Sequence, residues 1–396
     1  MKPPGRWPLH PAPIDGEALS SWLRRLAAEY QMDVSQLIQH GLGIDPGAEQ
    51  ALDLNPPHLL LDTLAERTGI TRDRLAHMHL AGSTPWLLDS VQPDPAGFAT
   101  YVRQFSVLLT PGTRSKHSAR SWVAWMPHHP VQRACRECMQ DPDRQGLLMI
   151  WLLPLTLSCP DHELILEPCI GIPGDHLTWI SDATAARTAS DAVLAMDRRT
   201  QQALSAGHVE LPARRIHAGV WFRVLRTILH ELSTPVTYWK PRATDLQLIW
   251  DSSGHPVRAR QSWWRTFEAF PWPIQTQLLQ AAAEAIRLLE DGTVRGRGTH
   301  AELFFPVHEP VDDGHPQPAK PKNAYLRWWD QVNASLDHAI QTARDDPAEA
   351  QALYDFLASP SRYPAIKRAG SGHPRRAWHP NRRPVTQIRR GTVCMT

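Results

Sequence analysis

Cys135-Arg136-Glu137-Cys138, followed twenty residues later by Cys159-Pro160-Asp161-His162, decides how the middle of this chain folds. Each pair separates its donors by two residues, so one tight turn aims both side chains at a common point. Tetrahedral zinc takes four such donors, with Zn–S near ~2.3 Å and Zn–N near ~2.0–2.1 Å. Cys135, Cys138, Cys159 and His162 fill a Cys3His shell and leave no position for water. That is the arrangement of one structural zinc ion rather than a catalytic one. The chain has five cysteines, four of them between residues 135 and 169. The odd count, without a sign of secretion, argues against disulfides. Chance proximity of buried free thiols is the competing interpretation. Cys169, just after the strand-like Leu164-Ile165-Leu166, is an alternative to His162 as fourth ligand.

The rest of the chain bounds what such a staple can serve. At 396 residues it is long enough for two or three domains, and a net charge of +2 means that any polyanion-binding surface is local. The N-terminal MKPPGRWPLHPAP lacks the apolar segment of a signal peptide. The apolar run Leu147 to Leu157 contains Pro154 and is about half the ~20 residues a membrane helix needs. A cytoplasmic, reducing setting without membrane contact is therefore expected. Trp221-Phe222, Trp263-Trp264 and Trp328-Trp329 are aromatic pairs among 16 tryptophans. They are not interleaved with Lys and Arg, so helix–helix packing suits them better than base stacking.

Upstream of the cysteines the periodicity is helical. After a Pro-rich arm over 1–13, Leu19, Trp22, Leu23 and Leu26 predict an amphipathic helix over 17–30, with a short helix over 35–41. Residues 59–78 read as a helix-turn-helix. Ala65 is small where helices cross, Gly69 allows the positive φ of the turn, and Thr71 can N-cap the second helix. Leu26 to His40 repeats the plan with Gln31 at the turn, which makes the units tandem. Arg72, Arg74 and His77 lie outward on the would-be recognition helix and are candidates for nucleic-acid contact. Packing or protein docking is the alternative use of such units.

A helix is expected over 96–109, and strands over Gly146–Leu157 and Glu163–Glu167. Further helices are expected over 183–206, 214–232, 262–269, 273–290, 322–345 and 347–358. The expected organisation is an N-terminal helical region (1–126), a zinc segment (127–180), a helical domain (181–304), a Pro-rich linker (305–320), a helical hairpin (321–360) and a tail (361–396). The fold class is mainly α, with tandem helix-turn-helix units, a small zinc-ribbon-like β element and a helical C-terminal half. The tail from Ser361 carries nine Lys/Arg and no Asp/Glu, and its composition predicts disorder. Arg375, Arg376, Arg382 and Arg383 within it suit salt-sensitive phosphate contact. No phosphate-binding G-x-x-x-x-G-K-[ST], H-E-x-x-H or G-x-S-x-G occurs, so no enzyme is predicted.

Pro13-Ile14-Asp15-Gly16-Glu17-Ala18-Leu19-Ser20-Ser21-Trp22-Leu23-Arg24-Arg25-Leu26-Ala27 resembles the start of TniQ-family proteins. The metal segment is similar to theirs too: Cys-x2-Cys, then Trp151, then Cys-Pro-x-His, then the later Cys169. Arg136-Glu137 stands where a Pro is common after the first Cys, and Glu163 where a Gly often follows the His. The resemblance covers roughly residues 13–170. It implies a non-catalytic role in transposition, selecting the target site. It also implies partners: DNA or a guide-RNA effector complex, an AAA+ ATPase regulator and the transposase, with self-association as a dimer a further expectation. A helix-turn-helix transcriptional regulator with a structural zinc is the alternative.

Overall fold

The helices at the start of the chain follow from local chemistry. The structure, a computed structural model, describes residues 5–45, 49–83, 96–111, 122–126, 131–180, 185–212, 214–240, 242–257 and 266–305. The predicted helical hairpin, the basic tail, Trp263-Trp264 and Trp328-Trp329 lie outside them. Helix α1 (Leu19–Glu29) buries Leu19, Trp22, Leu23 and Leu26 on one face. The chain then turns through Gln31 at φ 55°. Asp33 caps α2 (Val34–Gln36) in a reciprocal box, its carboxylate accepting from the Gln36 N–H while Gln36 accepts from the Asp33 N–H. A π-helical turn over Leu37–Leu42 continues α2 until Gly43.

After α3 (Glu49–Leu54), the second unit repeats the first. Helix α4 (His58–Thr68) ends at Gly69 with φ 74°, and Thr71 caps α5 (Arg72–Ala76) by accepting from the Arg74 N–H. Both predicted units are therefore present. They share one core, in which Leu23, Ile38, Leu61, Leu64 and Leu75 are buried.

The metal segment comprises β1 (Arg133–Ala134), α6 (Arg136–Gln140), α7 (Met149–Leu152), β2 (Ser158–Cys159), β3 (Leu164–Ile165), β4 (Glu167–Ile172) and β5 (His176–Trp179). Strands β2 and β3 form a hairpin, and β1-β4-β5 an antiparallel sheet. The strand expected over Gly146–Leu157 is instead mostly α7 and irregular chain. An apolar run of this length fits a buried helix as well as a strand. The guanidinium of Arg133 decides between them, donating to the carbonyls of Trp151, Leu153 and Thr156 that a strand ladder would otherwise occupy.

In the C-terminal half α8 (Asp191–Ala206), α9 (Ala218–Leu232), α10 (Ala243–Ser252) and α11 (Trp272–Glu290) surround a continuous apolar interior. Helix α9 lies at its centre, with Trp221, Phe222, Leu225, Ile228 and Leu229 fully buried. The helix expected from 214 starts only at Ala218. Residues Arg214–His217 are β7, paired with β6 (His208–Leu211) so that Val209 faces Ile216. The helix expected from 183 starts at Asp191, where Ser190 supplies the cap. The helix expected over 96–109 stops at Arg103. The Glu231 carboxylate accepts from the N–H groups of Val107 and Leu108 and holds that stretch open. Phe98, Tyr101, Trp122 and Trp125 belong to this C-terminal core, not to that of the helix-turn-helix units. Trp22, Trp151, Trp221 and Trp250 are also buried, as the packing interpretation predicts.

Candidate metal centre and its junctions

The four predicted donors converge. Cys135 sits at the N-cap of α6 and Cys138 in its first turn, so the helix itself sets the two sulfurs on one side. Cys159 ends β2, and the turn after it returns through a bond from the Glu163 N–H to the Cys159 carbonyl, bringing His162 in. All four donor atoms lie within 4.8 Å of one another, and the three cysteines are buried.

The separations test the fit to a metal. The bond lengths expected for zinc place sulfurs about 3.8 Å apart at the corners of a tetrahedron, and sulfur and nitrogen about 3.6 Å apart. Cys138 Sγ lies 3.8 Å from Cys159 Sγ. The Nδ1 of His162 is 3.6 Å from Cys135 Sγ, 3.2 Å from Cys138 Sγ and 3.6 Å from Cys159 Sγ. Cys169 stands apart: its thiol faces the Gln132 carbonyl, and burial pushes it up to about 11. His162, not Cys169, completes the cluster. Contacts among the cysteines push the Cys138 thiol up and hold that of Cys159 down. A divalent cation between them relieves that conflict by favouring every thiolate at once.

Two residues that depart from the family pattern have local roles. Arg136 pairs with the buried Glu167 at 2.6 Å and lies over the Trp179 ring at 4.8 Å, fixing α6 to the sheet. Glu163 adopts φ 58°, a left-handed conformation in which glycine carries no strain.

The junctions around the centre are polar. Glu17 is fully buried, accepting from Ser21 Oγ at 2.9 Å, the Ile14 N–H at 3.0 Å and Arg25 at 2.8 and 2.9 Å. Beside it the Ala18 N–H donates to the Leu147 carbonyl, the Met149 N–H to that of Gly16, and the Leu147 N–H to Ser21 Oγ. The Gly-Glu-Ala-Leu-Ser-Ser-Trp stretch thus joins the helix-turn-helix units to the metal segment. On the far side Asp197 of α8 accepts from the N–H groups of Leu157 and Ser158 and from Ser158 Oγ, directly before Cys159. Burial pushes Asp197 up to about 7. Glu17 stands inside the quoted Pro13–Ala27 stretch, though the sequence assigned it no role; Asp197 carries no sequence signal beyond its type, and the sequence reading missed it.

The predicted nucleic-acid residues are more dispersed. Arg72 Nε pairs with Asp62 at 2.8 Å and its guanidinium reaches His58. Arg74 donates to the Pro13 carbonyl at 2.7 Å and lies 3.3 Å from Asp15. His77 is exposed, its Nδ1 2.7 Å from the Asp73 carbonyl. Arg375, Arg376, Arg382 and Arg383 lie outside the described residues. The arm runs across both units: the Trp7 N–H donates to Arg67, Tyr30 Oη meets the backbone of Leu9, and Trp22 Nε1 donates to Pro11. No described helix is long and apolar enough to cross a membrane.

Comparison with known proteins agrees with the motifs. Residues 8–166 match the TniQ family, a transposition-associated domain that is generally an accessory without catalysis. The matched segment begins in the arm and ends just after β3, so it spans both helix-turn-helix units, the Glu17 junction and all four candidate metal donors. Neither a curated protein nor a solved structure gave a significant match.

Proposed function

We propose that this chain, which carries a TniQ domain over residues 8–166, is a non-catalytic accessory protein of transposition that helps select the target site. In this reading it joins target DNA, or a target-recognition complex, to an AAA+ ATPase regulator and through it to the transposase, in the cytoplasm. The observation that carries the reading is the family match over the two helix-turn-helix units and the metal centre together. The donor set supports zinc as the ion: three thiolates and one imidazole at tetrahedral separations. With four protein ligands such an ion acts as a staple, contributing folding free energy and no chemical step.

Nucleic-acid contact through Arg72 and Arg74 requires them to leave Asp62, Asp15 and the Pro13 carbonyl. Those ion pairs are solvent-exposed, and such pairs contribute only about 0–1 kcal/mol, so phosphate can compete for them. A transcriptional regulator would present a recognition helix free to enter a groove. Helix α5 has five residues, and both of its arginines are turned onto the protein, so no observation favours that second reading. Purification of the tagged chain from its native cell, with and without nuclease, tests the bridge. An AAA+ ATPase retained in both arms is expected, and loss of it upon nuclease treatment would overturn direct contact. Elemental analysis of the same sample should give one zinc per chain.

A further inference from the structure

The arm lies on the helix-turn-helix units as a bound peptide lies in a groove. Pro8, Pro11 and Pro13 fix their own φ, and Trp7, His10 and Ala12 before them are pushed to extended backbone. A chain held open in this way bonds little to itself and offers its carbonyls outward. Side chains of both units take them up. Arg67 of α4 donates to the Gly5 carbonyl at 3.1 Å, and Arg74 of α5 to that of Pro13 at 2.7 Å. Trp22 and Arg25 of α1 donate to the carbonyls of Pro11 and Ala12 at 2.8 and 2.9 Å. Tyr30 Oη, just past α1, accepts from the Leu9 N–H at 3.0 Å and donates to the Leu9 carbonyl at 2.7 Å. Trp7 is the aromatic anchor. Its ring lies 6.0 Å from that of Tyr30, and a Cβ on Gly41 would come within 3.1 Å of it. Pro8, Leu9, His10 and Ala12 are exposed, Leu9 by 49%. The groove thus engages the backbone of a proline-rich segment and one aromatic side chain, and leaves much of the segment's sequence unread.

We propose that the groove formed by Trp22, Arg25, Tyr30, Arg67 and Arg74 is a docking site for an extended proline-rich segment of a partner protein, and that the chain's own arm occupies it as an exchangeable ligand. Proline-rich segments suit aromatic-lined grooves because their extended form is set before binding, so little freedom is lost on docking. The chemistry of the occupant is on view in Trp7-Pro8-Leu9-His10-Pro11, an aromatic residue followed by prolines three apart. Tethering gives the arm an effective concentration on the order of mM, but its hold is a row of hydrogen bonds at the protein surface. A free segment of the same kind brings the same carbonyls and competes for the same donors. The inference stands on these contacts and does not require the transposition reading.

The test uses the full chain and a fluorescent peptide of residues 5–13, followed by anisotropy. The native chain should bind the peptide weakly, because its own arm competes. Trp7→Ala in the chain removes the arm's anchor and should tighten peptide binding by about 10-fold or more. Pro8→Gly with Pro11→Gly leaves the groove untouched, loosens the free arm and should tighten binding several-fold, so the result does not hang on the folding of one variant. Adding Tyr30→Phe to Trp7→Ala removes both bonds to Leu9 and should weaken the peptide several-fold, with helical circular dichroism unchanged. A peptide carrying Pro8→Ala, Pro11→Ala and Pro13→Ala has the same charge and should bind more weakly than its parent. Equal affinity of the native chain and both arm variants for the peptide, or of the two peptides for Trp7→Ala, would overturn the proposal. So would sedimentation of the native chain as a dimer that Trp7→Ala dissociates, since the groove would then belong to the arm of a second copy.

Discussion

Residues 5–83 with 131–180, and residues 96–111 and 122–126 with 189–304, are held together in different ways. The first region is a chain of small units with a separate polar device at every junction. The arm is pinned by Trp22 and Tyr30, the helix-turn-helix units meet the metal segment through Glu17, and the metal segment closes around four donors. The second region is one apolar interior built around α9. A modular region depends on a few groups that cannot be replaced singly, whereas a packed one spreads its stability over many contacts. The two should therefore fail differently, and the sharpest way to break that comparison is to remove one of the four converging donors.

Cys159→Ser should have the largest effect. Structural zinc sites contribute on the order of 10 kcal/mol, comparable with the whole stability of a typical domain, about 5–15 kcal/mol. The variant should lose its metal and become protease-sensitive across 131–180, while helical circular dichroism from α8–α11 largely persists. A metal-free variant as protease-resistant as the native chain would remove the staple from the argument.

The counterpart in the packed region is Glu268. Arg226 pairs with it at 2.6 and 2.9 Å, and both side chains are almost fully buried. Glu268→Ala leaves a buried cation without its partner and should cost about 3–5 kcal/mol in denaturant titration. Replacing both residues by apolar ones of similar size should cost far less. If it costs as much, this region depends on single polar devices too, and the contrast fails.

Glu17→Ala should cost less, about 2–3 kcal/mol, because its partner Arg25 retains 19% exposure and can turn to water. The loss should be local. Amide exchange should accelerate at Ala18, Leu147 and Met149, the N–H groups bonded across that junction, and not within α9.

What could be read in advance follows the same division. Short-range chemistry was legible: the Cys-x2-Cys and Cys-x2-His spacing, Gly69 at a positive-φ turn, and Thr71 as a cap. Each is decided within a few residues. The misassigned segments are those that distant side chains decide. Arg133 draws residues 151–156 out of a strand, and Glu231 ends the helix near 103 by capping Val107 and Leu108 from more than a hundred residues away. Residues 214–217 become a strand because β6 is there to pair with them.

Titration separates the two regions with smaller effects of opposite sign. Burial raises Asp197 from 3.8 to about 7, so its contribution is fully present below the unfolded value and is lost as pH rises through about 7. Burial lowers His79 from 6.5 to about 4, so its contribution is present above 6.5 and lost as pH falls through about 4. Relative to the native chain, Asp197→Asn should therefore cost less at pH 8 than at pH 5. His79→Gln should cost less at pH 4 than at pH 7.5. Parallel rather than opposed trends in urea midpoints would refute this assignment.

The smallest effects distinguish the two helix-turn-helix units from each other. Both turns use a left-handed residue, Gly69 at φ 74° in one and Gln31 at φ 55° in the other. At Gly69 a Cβ would be strained and would also lie 2.8 Å from the Arg6 guanidinium carbon, so the arm is seated on the missing side chain. Gly69→Ala should cost about 1–2 kcal/mol, with part of the loss appearing as faster exchange of the Trp7 N–H, which is bonded to Arg67. At Gln31 the strain already exists. Gln31→Gly relieves about 1 kcal/mol of it and returns roughly half as unfolded-chain entropy, a net gain of a few tenths of a kcal/mol. A rise in the denaturation midpoint for Gln31→Gly beside a fall for Gly69→Ala would show that the units share a turn geometry and differ in how well each sequence fits it. Equal falls would mean that the Gln31 side chain has a role in the turn that outweighs its backbone strain.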